Sequence, residues 1–309
     1  MANGAVMLTA QVERYISLRQ ALGFKLRNSG RRLRSFAAFA TASGDTHIRI
    51  STVAAWAAEA LSPGARHVRL RDVVQLARFL HGEDPAHEVP TLTLFPGQKV
   101  RPLPYIYALE EVAQIVEAAG RLRPTYALRR ETYATLLGLI AATGMRVSEA
   151  LDLRFGDLRP NGVLLIRRTK FDKSRLIPLH PTATDALDRY LDRRRRLAVT
   201  DDHVFLSAGN RRISASMVHF TFRRVVRLAG VALGHTRLCR IHDLRHTFAT
   251  RSLQGCSTSR ESISRHLVAL ATYMGHADIA HTYWYFEATP ALMTDIATAA
   301  EALVAKGDA

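Results

Sequence analysis

The sequence predicts a mainly α-helical protein in two parts, with a single small antiparallel sheet in the second. Three observations carry this reading. Apolar residues recur at helical spacing from Met1 to about Gly82, a proline-rich stretch without apolar period follows, and a short β-rich patch is later enclosed by further helical segments.

In the first part, Val53, Trp56, Ala57 and Ala60, and again Leu70, Val73, Val74, Ala77 and Leu80, follow the spacing of a helix with one apolar face. Four helices fit, over 9–22, 28–42, 51–61 and 63–81, punctuated by Gly23, Ser43-Gly44 and Ser62-Pro63-Gly64. Ser62 is a good N-cap because its side chain can accept a free helix N–H, and Pro63 then fits the first helical position. Pro85, Pro90, Pro96, Gly97, Pro102 and Pro104 mark an extended linker. The expected division is a helical domain over 1–84, a linker over 85–104 and a second domain over 105–309.

The second part opens with helices over 109–121 and 128–143, the latter stopped by Gly144, and a short helix starting at Val147. Strand-like segments at 153–158, 163–167 and 176–179 are joined by a turn at Pro160-Asn161-Gly162 and a polar turn over 170–173. Three such strands form a meander too small to stand alone, so helices must cover it. Helical patterns resume over 181–198, 214–228, 242–253, 261–274, 277–287 and 290–304.

Among 309 residues, 43 lysines and arginines face 27 aspartates and glutamates, a formal charge of +16. Such a surplus points to a polyanionic partner, nucleic acid ahead of an anionic membrane. Both parts share it: residues 1–103 carry 14 basic against 7 acidic side chains, and residues 104–309 carry 29 against 20. Two basic bodies on a connector suit a clamp around a duplex. The longest apolar run, 136–142, is far too short to span a bilayer, and no charged-then-apolar leader opens the sequence. With only Cys239 and Cys256, neither a disulfide framework nor a zinc site is expected, and a soluble cytoplasmic protein is.

A few positions could grip or attack a phosphate. Arg146 follows the Gly144 helix stop, and Glu149, three residues on, can fix it. Lys170 sits in the turn of the β-hairpin. His242 and Arg245 lie one helical turn apart, so both are expected to face the same way. His276 follows Gly275, with Tyr283 and Tyr285 beyond it and Tyr273 just before. Each alone reads as an ordinary surface residue. Their order along the chain is harder to dismiss: an arginine, a hairpin lysine 24 residues later, His-x-x-Arg, Gly-His, and a tyrosine nine residues after that histidine.

In this order, with Thr143-Gly144-Met145-Arg146-Val147-Ser148-Glu149-Ala150-Leu151, His242-Asp243-Leu244-Arg245-His246-Thr247-Phe248-Ala249-Thr250 and Met274-Gly275-His276 through Tyr285, the chain resembles the tyrosine recombinase/integrase family. The resemblance implies an N-terminal helical, SAM-like core-binding domain and an α-rich catalytic domain with a small antiparallel sheet. It implies Tyr285 as the nucleophile on a DNA phosphodiester, chosen over Tyr283 and Tyr273 because its spacing from His276 matches the family. Arg146 and Arg245 would hold the non-bridging oxygens, Lys170 would protonate the leaving 5′ oxygen, His242 would assist at the tyrosine, and His276 would bond the phosphate. Glu149 would support them. No cofactor or metal is implied. The partners would be double-stranded DNA and other protomers, a homo- or hetero-tetramer on paired recombination sites, with the tail helix often docked on a neighbour. A type IB topoisomerase-like activity and a catalytically idle DNA-binding accessory protein are the alternatives. The segment 254–260 is longer than the family usually has there and reads as an inserted loop. For DNA contact in the first domain, Lys25, Arg27, Arg31, Arg32 and Arg34 cluster on one expected helix. The run Arg193 to Arg196 reads instead as a solvated face at a helix end.

Overall fold

The structure, a computed structural model, describes residues 2–95, 103–167, 174–197, 199–231, 239–254 and 260–275. These fall into two compact units, with the break between Pro102 and Leu103. The fold class is the expected one, mostly helical with one three-stranded antiparallel sheet. No helix of the described residues is long and apolar enough to cross a membrane.

The first unit contains α1 (Ala2–Ala21), α2 (Arg27–Ala42), α3 (Ile50–Ala58) and α4 (Pro63–His81). Its core gathers Leu33 and Phe36 from α2, Trp56 from α3 and Leu70, Val73 and Leu80 from α4. Trp56 meets Phe36 edge-on at 5.4 Å, and the Arg69 guanidinium lies 4.8 Å from its ring centroid. Ser62 caps α4 as expected, accepting the Ala65 N–H.

Within the span expected to be linker, residues 87, 88 and 92–94 have ordered contacts. His87 is fully buried and its Nδ1 accepts the Ile48 N–H at 3.1 Å. Glu88 takes the Ile50 N–H on its carboxylate at 2.6 Å, and residues 92–94 form a 3-10 turn. The reason lies at the start of α3. Its N-cap residue, Arg49, has no side chain that can accept a hydrogen bond, so the free N–H at Ile50 is satisfied by the returning chain.

The second unit contains α5 (Leu109–Gly120), α6 (Arg129–Thr143), α7 (Val147–Leu151), β1 (Leu158–Arg159), β2 (Val163–Ile166), β3 (Arg175–Pro178), α8 (Pro181–Arg195), α9 (Ala215–Ala229), α10 (Ile241–Gln254) and α11 (Arg260–Met274). α6 is central, burying Leu136, Leu137 and Ile140 among Ile115 of α5, Leu187 of α8 and Leu244 of α10. The strands run in the order β1-β2-β3, with Leu164 opposite Ile177 and Ile166 opposite Arg175. The strand expected over 153–158 is mostly a 3-10 turn over Phe155–Asp157, because the buried Asp157 carboxylate accepts the Arg154 N–H and curls the chain. The segment entering the unit is pinned to α10: Tyr107 donates its N–H to the Thr247 hydroxyl at 2.9 Å and accepts from Arg251 at 3.1 Å. The helices expected over 277–287 and 290–304 lie outside the described residues.

His87 makes the first unit acid-sensitive. Burial, and then the charge of His47, hold its pKa below the ordinary histidine value. A histidine depressed in the folded state is protonated more readily after unfolding. Its contribution to stability is therefore intact above about pH 6.5 and is lost as pH falls through the lowered folded value. Asp84 and Glu88 are also depressed and act only below the carboxylate range. Melting followed by circular dichroism should show a lower unfolding temperature at pH 5.5 than at 7.5, and the gap should shrink in His87→Gln. An unchanged gap in that variant would contradict the assignment.

Candidate active site

α6 ends in a left-handed glycine, Gly144, at φ +61°. A Cβ there would come 2.4 Å from the Phe248 ring and 3.1 Å from the Met274 sulfur, so both conformation and space require glycine. Two residues later Arg146 occupies the N-cap of α7, and the Glu149 carboxylate accepts both its backbone N–H, at 2.9 Å, and its Nη1, at 2.7 Å. The i, i+3 spacing thus works as expected, with Glu149 buried and Arg146 partly exposed.

Three guanidiniums then meet the end of α11. Arg175 of β3 donates Nε to the Tyr273 carbonyl at 2.7 Å. Arg245 of α10 donates Nη2 to the Met274 carbonyl at 2.8 Å and Nη1 to the Gly144 carbonyl at 2.6 Å. Arg146 donates Nη2 to the Gly275 carbonyl at 3.0 Å. Three consecutive carbonyls that the helix leaves without intrahelical donors are each taken by a different element. Gly275, at φ +66°, turns the chain out of α11 beneath Arg175, whose Nη1 lies 2.9 Å from where a Cβ would be.

Glu149 collects the charge. Arg175 forks onto it with Nη1 to Oε1 at 3.1 Å and Nη2 to Oε2 at 2.7 Å. Burial pushes this carboxyl up, but the bonds and charge of Arg175, and then those from Arg146, outweigh burial and bring it down to about 2. Two arginines against one carboxylate leave the cluster electropositive before Arg245 is counted. Such a site suits an anion, and planar forks suit the oxygens of a phosphate.

The profile described as the phage integrase family matches residues 105–291. The chain belongs to this family. A chain named as an integrase/recombinase, y4rB, from Sinorhizobium fredii is 36% identical over 296 residues, covering 92% of this chain and 94% of that one. Tyrosine recombinase XerD from Brucella abortus is 31% identical over 245 residues, covering 77% and 76%. The lambda integrase tetramer bound to a Holliday junction is similar in fold, with a TM-score of 0.64 at 16% identity over 89% of this chain and 76% of that one. Tyrosine recombinases such as XerD are DNA strand transferases, and this integrase-family chain is an enzyme of that class.

Of the site residues expected in this integrase-family chain, Arg146, Glu149 and Arg245 come together at the end of α11. Lys170, His276 and Tyr285 lie outside the described residues; β2 and β3 flank the first, and Gly275 directly precedes the second. His242 and Arg245 lie one turn apart on α10, as expected, but differ in exposure. Arg245 is 2% exposed, whereas His242 is exposed and set edge-on to His246 at 4.7 Å. His242 stands in the first turn of α10, whereas Arg245, His246 and Ala249 further along the same face are buried. Tyr273 is half-buried and stacked on Phe248 at 5.5 Å, and burial raises its hydroxyl pKa, which disfavours it as a nucleophile.

Arg175 was not among the expected residues. Its signal was the strand register: Ile177 points inward, so a residue two positions earlier must also, while Leu176 is left 59% exposed. In the first unit, Lys25, Arg27 and Arg31 are exposed, but Arg32 is paired with the buried Asp72 and Arg34 with Glu13. The Arg193 to Arg196 run also departs from a purely solvated face, since Arg194 is buried and donates to the Asp201 and His203 carbonyls.

Gly144→Ala should lower stability by roughly 2 to 5 kcal/mol, combining a left-handed alanine with an overpacked contact against a stacked ring. Denaturant unfolding measures this directly; a change under 0.5 kcal/mol would mean that the Gly144 turn does not constrain the Arg146 loop.

Proposed function

We propose that this chain is a site-specific DNA recombinase that cleaves and rejoins DNA through a 3′-phosphotyrosyl intermediate on Tyr285, in the integration, excision or transposition of a mobile element. The observation that carries the reading is the convergence of Arg146 and Arg245, from separate signatures, on carbonyls next to His276. The Tyr285 oxygen would attack phosphorus while the bond to the 5′ oxygen breaks. The phenolic proton would pass to His242, and Lys170 would protonate the departing 5′ oxygen. The two guanidiniums, with His276, would take up the charge growing on the non-bridging oxygens, where one such donor is commonly worth about 10² to 10³ in rate. A 5′-hydroxyl from a partner strand would then attack the phosphotyrosine, release Tyr285 and restore the diester, so no high-energy cofactor is consumed.

The same reading assigns the first unit to gripping the duplex, with Lys25, Arg27 and Arg31 on phosphates, and expects protomers to assemble in fours on paired sites in the cytoplasm. Support for the assembly comes from the fold shared with lambda integrase, seen as a tetramer on a Holliday junction.

A nicked suicide duplex carrying the recombination site tests the chemistry. Wild type should form a covalent protein-DNA adduct and Tyr285→Phe should not; an adduct persisting in the variant would move the nucleophile to Tyr283, and none from either protein would leave only a DNA binder. Duplex affinity should also fall by about 10² or more between 50 and 200 mM salt if many phosphates are neutralised. A flat dependence would contradict a clamp.

A further inference from the structure

We infer that Arg175 is a positioning residue for DNA cleavage, keeping Glu149 from cancelling the charge of Arg146 and tying the β2–β3 hairpin to the end of α11. The inference rests on the recombinase reading of this site. Arg175 spends its guanidinium on two targets, the Glu149 carboxylate through both Nη atoms and the Tyr273 carbonyl through Nε. Its side chain is 11% exposed, so both contacts are shielded from water.

The charge count makes the case. Arg146 and Glu149 alone would form a neutral local pair, with little pull on a phosphate. Arg175 supplies a second cation to the same carboxylate and approaches its two oxygens in parallel, an arrangement that a fork makes and an ammonium does not. Glu149 is thereby held as a fixed anion that orients Arg146 through Nη1, while Arg146 keeps Nη2 on the Gly275 carbonyl. Among the described residues, the charged groups that meet Glu149 are Arg146 from its own turn and Arg175 from β3; Arg245, from α10, is directed at the neighbouring Gly144 and Met274 carbonyls. β3 also begins five residues after Lys170 in the chain. One side chain therefore joins the strand next to the proposed acid, the arginine loop and the backbone leading to His276.

Removal of Arg175 leaves a buried carboxyl whose upward push from burial is opposed, among the described residues, by Arg146. Glu149 should then take up a proton in the neutral-to-acid range and release its hold on Arg146. Cleavage would acquire a Glu149-linked pH dependence on top of that of wild type, because in wild type Glu149 is ionised throughout.

Single-turnover cleavage of the nicked duplex, measured from pH 5.5 to 8.5, compares wild type, Arg175→Met, Arg175→Lys, Glu149→Gln and the Arg175→Met/Glu149→Gln double variant. Arg175→Met should cleave about 10- to 100-fold more slowly, with DNA affinity within a few-fold of wild type, and its rate relative to wild type should fall further as pH drops. Arg175→Lys should restore a pH-independent ratio with only part of the rate. The double variant, which has no unpaired buried charge, should cleave no more slowly than the slower of its parents. A wild-type rate in Arg175→Met, or a pH-flat loss that multiplies with that of Glu149→Gln, would overturn the inference. Should Arg175→Met fail to fold, the double variant decides by the same comparison with Glu149→Gln. Absence of an adduct from wild type would sink the recombinase reading itself and with it the role in cleavage. The carboxyl ¹³C titration of Glu149 in DNA-free protein separates the two failures: it should move upward in Arg175→Lys or Arg175→Met, and a Glu149 unmoved in both would overturn the coupling whatever the enzyme does.

Discussion

The second unit depends on how the last three carbonyls around the end of α11 are satisfied. Tyr273, Met274 and Gly275 present oxygens that the helix itself cannot pair, and each receives an N–H from a different arginine, on β3, α10 and the α6–α7 loop. A hydrogen bond to a charged donor is worth about 1.5 to 3 kcal/mol net, and the negative end of the helix dipole favours cations there. Glycines at 144 and 275 make the approach possible by turning the chain where a Cβ would strike Phe248 or Arg175. Secondary structure alone would leave these elements as neighbours; the arginines fix them against one another within hydrogen-bond tolerance.

That constraint also shapes the electrostatics. Gathering three guanidiniums near one another, Arg245 among them buried, is costly unless anions and carbonyls share the charge. Glu149 answers part of it and is held at about 2 as a result, while the carbonyls answer more without adding formal negative charge. The cluster retains a net positive charge at the point where the chain leaves α11 for His276. Stability and the capacity to hold an anion thus arise from the same side chains, so changes at Arg146, Arg175 or Arg245 affect both together.

Much of this was legible in the sequence where the physics is local. The Gly144 stop, the Ser62 cap and the pairing of Arg146 with Glu149 all follow from spacings of four residues or fewer. What escaped depended on distant partners. Arg175 reaches Glu149 and Tyr273 across 26 and 98 positions, and no pattern within β3 names them. Arg32 and Arg34 read as DNA contacts from sequence alone, and their partners Asp72 and Glu13 come from other helices. The contact of Glu88 within the proline-rich span was hidden for a similar reason: the N–H at the start of α3 takes the acceptor that Glu88 brings back. His242 and Arg245 share a face, yet His242 stands in the first turn of α10 and is exposed while Arg245 is buried.

The central claim is that the two arginines anchored at the end of α11 are the phosphate grip. A crystal structure of the protein on a nicked recombination site with vanadate bridging the nick tests it directly. The account predicts Arg146 and Arg245 within hydrogen-bond distance of the equatorial vanadate oxygens, with the Gly275 and Met274 carbonyls still bonded and the Tyr285 oxygen axial. Vanadate bound away from either arginine, or held by a different tyrosine, would contradict it.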